Sequence, residues 1–290
     1  MDATLTPTQS RVPVRGLQIA IREWPGSEHG RDFLLVHGLA SNACTWDGVG
    51  AELSAHGHHA IAIDQRGHGR SDKPEAGYGF DEVTADLDAL IKEIGLKDPI
   101  VCGQSWGGNV VLEFGARYPQ ALSGLVMVDG GFIDLASAPG ATWEQVSVDL
   151  KPPPLIGLPR STMLERMGRF HPNWSSHQLE MQMGNYETMP DQTIRPWLTL
   201  DRHMQILRAL WDQKPAELFP RVTAPTLIAA APAPGEDRQE RKLHETGIAM
   251  QLIPNARIRW YNDSVHDIHV DQPSQLAGWL LENLNEGFFG

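Results

Sequence analysis

The chain has 290 residues, 41% hydrophobic and 21% charged. That is enough apolar side chain to bury one large domain, and it excludes the hydrophobe-poor, highly charged composition of a disordered chain. A formal net charge of −12 without any dense run of Lys or Arg argues against nucleic acid or an anionic membrane as a partner.

The first sixteen residues hold no apolar stretch of signal-peptide length, and nowhere do enough apolar residues run together to span a bilayer, so a cytoplasmic location is expected. Continuous apolar runs at 33–36, 60–63, 100–102, 125–128 and 226–229 read as strands buried on both faces. Stretches of helical period at 46–53, 83–94 and 110–117 lie between them, the last stopped by Pro119. This alternation predicts an α/β fold with a doubly wound, mostly parallel sheet. The rhythm breaks between about 133 and 220, where four of the nine Trp and six of the nine Met lie among many prolines. An inserted helical cap over 134–215 is expected there, with the core formed by 1–133 and 216–290. A helix at 238–246, a strand at 257–261 and a helix at 273–286 complete the expected order. Of the two cysteines, Cys102 falls in a strand and reads as a buried thiol, so neither a disulfide nor a cysteine metal site is expected.

Chemistry concentrates at three strand ends. Ile100-Val101-Cys102-Gly103-Gln104-Ser105-Trp106-Gly107-Gly108 runs a buried strand through G-x-S-x-G directly into a helix. Small residues on both sides of Ser105 permit a sharp turn that exposes its hydroxyl near the positive end of the helix, as a nucleophile requires. Leu34-Leu35-Val36-His37-Gly38-Leu39 ends a second strand. Gly38 there lets the backbone bend so that the N–H of Leu39, with that of Trp106, aims at an oxygen becoming negative; the plainer alternative is an ordinary turn with a structural His37. Asp263-Ser264-Val265-His266-Asp267-Ile268-His269 follows the last strand. A serine hydroxyl needs a neutral imidazole to accept its proton, and His266 is the better candidate. His269 could serve instead, or pair with it on a metal, but no third ligand is spaced for one. His56, His58 and His59 read as a solvated turn, and the cap residues Met181, Met183, Trp197 and Met204 as packing that together hints at an apolar pocket.

The order of these pieces resembles the α/β-hydrolase family, in its serine-nucleophile, esterase- or lipase-like branch, from about Gly16 to the C-terminus. Asp64-Gln65-Arg66-Gly67-His68-Gly69-Arg70-Ser71-Asp72 is similar to a loop of that family and lacks a phosphate-loop pattern. The resemblance implies a nucleophile at Ser105, an oxyanion hole from the Leu39 and Trp106 backbone, a base at His266 and no cofactor. It also exposes a departure. Most members carry the triad acid in a short turn after the strand read here at 226–229, where this chain has the longer Ala231-Pro232-Ala233-Pro234-Gly235-Glu236-Asp237. Some relatives carry it after the strand following the nucleophile helix, where Asp129 stands before two glycines; Asp129 is expected to be the acid, Asp237 the alternative. The activity implied is hydrolysis of a carboxylic ester or lactone of a small molecule with an apolar acyl or aryl part, by a monomer or homodimer. Carbon–carbon bond hydrolysis, amide cleavage and cofactor-free perhydrolysis use the same residues. Epoxide hydrolysis and dehalogenation do not fit, because those relatives use an aspartate where this chain has Ser105. A non-catalytic small-molecule receptor on the same scaffold is the alternative outside enzymes.

Overall fold

A computed structural model describes residues 6–290, so the first five residues of the expected core lie outside it. β1 (Thr8–Val14) and β2 (Leu17–Trp24) form an antiparallel hairpin turned at Arg15 and Gly16, both at positive φ (49° and 82°). The sequence does not announce this pair, because β1 is mostly solvent-exposed and carries no apolar run. The expected alternation follows: β3 (Asp32–Val36), α1 (Asp47–Ala55) entered through a 3-10 turn at Ala43–Trp46, β4 (His59–Ile63), α2 (Phe80–Ile94), β5 (Ile100–Gln104), α3 (Trp106–Arg117) and β6 (Gly124–Val128).

Residues 134–215 contain α4 (Trp143–Asp149), β7 (Leu158–Pro159), α5 (Arg160–Phe170), α6 (Ser176–Met183), β8 (Tyr186–Thr188), β9 (Thr193–Pro196), α7 (Leu200–Asp212) and the start of α8 (Pro215–Leu218). The three short strands pair antiparallel in the order β7-β9-β8, so the segment is not purely helical. Strands of two to four residues are too short to show a period of two in sequence. Met167, Met183 and Ile194 make a small core of their own, while Ile206 and Leu210 of α7 pack into the main one. The chain then closes with β10 (Thr226–Ala230), α9 (Glu236–Leu252), β11 (Ala256–Trp260), α10 (Ile268–Asp271) and α11 (Pro273–Asn285).

The eight long strands form one sheet in the order β1-β2-β4-β3-β5-β6-β10-β11, parallel from β4 to β11. Alternate strand residues explain the continuous apolar runs. Leu34, Val36, Ile61, Val101, Leu125 and Ile228 face α2 and α3, whereas Phe33, Leu35, Ala60, Cys102, Val126 and Leu227 face α1 and α11. Both faces are therefore dry, and a strand of this kind has no polar side. Functional side chains are left to the carboxyl ends of the strands, where the loops after β3, β5, β6 and β11 converge. Among the described residues, no helix is long and apolar enough to cross a membrane.

Candidate active site

Ser105 links β5 to α3 with φ 54° and ψ −123°, a conformation that side-chain-bearing residues avoid and that costs on the order of 1–3 kcal/mol. The surrounding glycines make it accessible. A Cβ on Gly107 would meet the carbonyl oxygen of His37 at 2.4 Å, and one on Gly130 would meet that of Ser105 at 2.0 Å. The turn is also bonded into the sheet, since Ser105 N–H donates to Val128 O at 2.9 Å. Ser105 itself stays partly exposed.

Asp129 follows β6 directly and, like Ser105, has a positive φ (45°). Its side chain is 1% exposed and accepts the Nδ1–H of His266 on Oδ2 at 2.7 Å. Oδ1 accepts the N–H of Ala231 at 2.9 Å, and Lys242 Nζ donates to both oxygens at 2.9 Å. An Asn109 side chain braces the following turn, accepting from Gly131 N–H at 2.9 Å while donating to Gln213 Oε1 at 2.7 Å. Burial pulls the pKa of His266 down, but its hydrogen bond to Asp129 and the Asp129 charge outweigh this, with Asp267 adding and Lys242 opposing, so the ring is held above the ordinary histidine value. The side chain keeps 49% of its surface open, and water tempers the effect. Gln104, the residue before Ser105, donates to His266 O at 3.2 Å, joining the serine turn to the histidine loop.

Leu39 and Trp106 stand just past the ends of β3 and β5. Trp106 opens α3, where the first-turn N–H groups have no intrahelical acceptor. Leu39 follows Gly38, whose lack of a Cβ admits the Gln104 side chain; an added Cβ would sit 2.5 Å from Gln104 Oε1. His37 is fully buried and hydrogen-bonded in the neutral form: Nε2 accepts from Gln65 N–H at 3.1 Å and Nδ1–H donates to Gly38 O at 2.7 Å. It thus takes the structural part, and the chain turns directly after Gly38, where Ser41 N–H donates to Gly38 O at 3.3 Å. His68 spans the two strand ends, accepting Ala40 N–H on Nε2 at 3.2 Å and stacking on Trp106 with ring centroids 5.6 Å apart. Desolvation holds His68 well below the ordinary value. The loop after β4 is organised by Asp64, which accepts from Ala43 N–H at 2.8 Å and Arg70 N–H at 2.7 Å, and by the buried Arg66–Asp86 pair at 2.6 Å.

The alternatives lie elsewhere. His269 is buried against Trp46, with ring centroids 4.6 Å apart, and desolvation drives it down to about 3. Asp237 is exposed in the first turn of α9; it lines a cavity of about 730 Å³ with Phe132, Phe219, Ile248 and Glu245, to which neither Ser105 nor His266 contributes. Of the Met and Trp residues that hint at an apolar pocket in the sequence, none lines that cavity. Met181 and Met183 are buried, and Trp197 lies under Arg70 and Lys73, which is packing. His59 is more than a solvated turn residue: it bridges Asp32 and Glu23, each at 2.9 Å. Cys44 and Cys102 are free thiols, and burial pushes Cys44 up to about 12 and Cys102 higher still, too high for thiolate chemistry near neutrality. Among the described residues, no three His, Cys, Asp or Glu side chains converge as a metal site would need.

Three residues at the site are given no role by the sequence: Gln104 and His68, which lie inside the serine motif and the loop after β4, and Lys242, which lies in no motif. Lys242 is the least visible, since Arg238-Gln239-Glu240-Arg241-Lys242 reads as a solvated helix face and nothing in its spacing marks one lysine as turned inward.

Comparison with known proteins adds the family. The profile described as the Alpha/beta hydrolase family matches residues 33–279. The chain is 24% identical over 287 residues to a non-heme chloroperoxidase of Streptomyces lividans, spanning 92% of this chain and 95% of that protein. It is 34% identical over 119 residues to 2-(acetamidomethylene)succinate hydrolase of Mesorhizobium japonicum, spanning 41% of each. Among solved structures, E-2-(acetamidomethylene)succinate hydrolase superposes with a TM-score of 0.77 at 22% identity, covering 96% of this chain and 99% of that one. A thioesterase domain from the curacin biosynthetic pathway superposes with a TM-score of 0.75 at 18% identity, covering 95% and 99%. At these identities the structural likeness is one of fold.

Proposed function

Because the chain belongs to the alpha/beta hydrolase family, we propose that it hydrolyses a carboxylic ester or lactone with an apolar acyl or aryl part, through an acyl-enzyme on Ser105. The observation that carries this reading is the 2.7 Å bond between His266 Nδ1 and the buried carboxylate of Asp129, beside a serine held in a strained strand-to-helix turn. In this reading Ser105 Oγ attacks the carbonyl carbon while His266 Nε2 takes its proton. Asp129 fixes the tautomer and stabilises the imidazolium. The N–H groups of Leu39 and Trp106 receive the developing oxyanion. His266 then protonates the leaving alcohol, and the same imidazole activates water to release the acid and restore Ser105. Residues 134–215 act as a cap over the site, tied down where Asn42 Nδ2 donates to Met181 O at 3.0 Å and Trp174 Nε1 to Asp271 Oδ1 at 2.6 Å.

A fluorophosphonate should label the protein stoichiometrically at Ser105, and a chain-length series of p-nitrophenyl esters beside a lactone panel should show turnover that labelling abolishes. A folded protein that neither labels nor turns over any of these esters would be a receptor on a hydrolase scaffold. The likeness over most of its length to a protein named for chloroperoxidase activity favours a second reaction on the same residues: transfer of the acyl group from Ser105 to hydrogen peroxide, giving a peracid and free serine. Peroxide- and carboxylate-dependent bromide oxidation that disappears in Ser105→Ala would establish it.

A further inference from the structure

Lys242 enters the site from α9, an element that supplies none of the three residues proposed for the chemistry. Its ammonium is fully used: Nζ donates to Asp129 Oδ1, Asp129 Oδ2 and Ala231 O, each at 2.9 Å. Ala231 N–H in turn donates to Asp129 Oδ1 at 2.9 Å. One lysine thereby clamps both oxygens of the carboxylate and the strand end beside it, in the stretch after β10 where most family members place the acid itself. Asp129 stands on β6 instead, and Lys242 braces it from the β10 side.

We propose that Lys242 is a positioning residue of the proton relay, holding the Asp129 carboxylate in the orientation that meets His266 Nδ1 and offsetting part of its charge. This rests on Asp129 being the acid and His266 the base of the proposed function. The physical consequence is a moderated base. An unopposed buried carboxylate would stabilise the imidazolium strongly and leave the ring protonated into the working pH range; a cation on the same carboxylate reduces that stabilisation. The charged groups acting on His266 are Asp129 from β6, Asp267 from its own loop and Lys242 from α9, with the neutral, buried His269 behind it. Asp129 and Asp267 raise its pKa, and Lys242 lowers it.

The test is the titration of His266 in the intact protein, followed by the ¹⁵N and ¹H shifts of labelled histidine rings, which needs no substrate. Lys242→Met, which keeps the stem and removes the charge, should move the His266 pKa upward by about one unit, and Lys242→Arg should return it toward the wild-type value. The acid limb of the kcat profile should move with it while KM stays near wild type. Since removing one member of a buried ion pair threatens folding, Lys242→Gln, with a donor amide in place, is the second neutral variant. Asp129→Asn is the control and should lower the His266 pKa. If Asp129→Asn lowers it while the folded neutral Lys242 variants titrate like wild type, the role of Lys242 is overturned and the Asp129–His266 reading stands. If Asp129→Asn changes nothing, that reading fails and the proposal falls with it.

Discussion

At the scale of single residues, the proposed mechanism separates groups that look equivalent in the sequence. Ser105→Ala should fold normally and lose activity by a factor on the order of 10⁶, checked on purified protein by kcat with a p-nitrophenyl ester; a tenth of the wild-type rate remaining would exclude Ser105 as nucleophile. Asp129→Asn should lose on the order of 10⁴, whereas Asp237→Asn, altering an exposed first-turn residue of α9, should remain close to wild type. The pH profile follows from the sign of the His266 shift. Its pKa is raised and only the neutral ring accepts a proton, so kcat/KM should climb with pH around a midpoint above about 6.5, the ordinary histidine value. A midpoint below that would mean that the ring does not feel Asp129. His269→Ala should leave the midpoint nearly unchanged, because that ring is buried and neutral throughout this range.

At the scale of elements, the site depends on two strand ends passing within contact of each other. Gly130 lies so close to the serine turn that a Cβ there would sit 2.0 Å from Ser105 O, and the neighbour is backbone, so the turn itself must move. Gly130→Ala should therefore lower kcat by about 10²-fold, the expected order for a catalytic group displaced by about 1 Å, and it should lower Tm as well. Gly247 is the opposite case: it sits exposed inside α9, where an added Cβ would meet nothing within 4 Å. Gly247→Ala should stabilise the protein by about 1 kcal/mol in urea unfolding, without changing the rate. The strand–helix alternation from β3 to β6 is readable in the sequence because strands with two dry faces are apolar along their whole middle, with polar residues such as Asp32, His59 and Gln104 only at their ends. The exposed β1 and the three short strands of 134–215 are not, since an exposed strand or one of two to four residues leaves no such apolar run.

At the scale of the whole molecule, buried neutral histidines couple stability to pH. His37, His68 and His269 all have lowered pKa values from desolvation, His269 down to about 3. Unfolding returns each ring to about 6.5, so below that pH the unfolded chain binds more protons and stability falls on acidification. His266, whose pKa is raised, contributes in the opposite sense but is half exposed. The urea midpoint should drop between pH 7 and pH 5, and His269→Phe, which keeps a ring but cannot titrate, should flatten that slope. The same distinction between local and long-range interactions divides what the sequence alone determined from what required the folded chain. Composition, the apolar runs and the G-x-S-x-G turn determined an α/β sheet with Ser105 at a strand end and His266 in the last loop, because each of these features is written within a few consecutive residues. Which carboxylate meets His266 was decided only in the tertiary structure: Asp129 and Asp237 both follow strands, and the choice depends on β6 and β10 lying side by side with α9 turned outward at its start. Lys242 was invisible for the same reason. Its ion pair to Asp129 joins residues 113 positions apart, and a side chain's charge carries no local mark of the carboxylate it will meet.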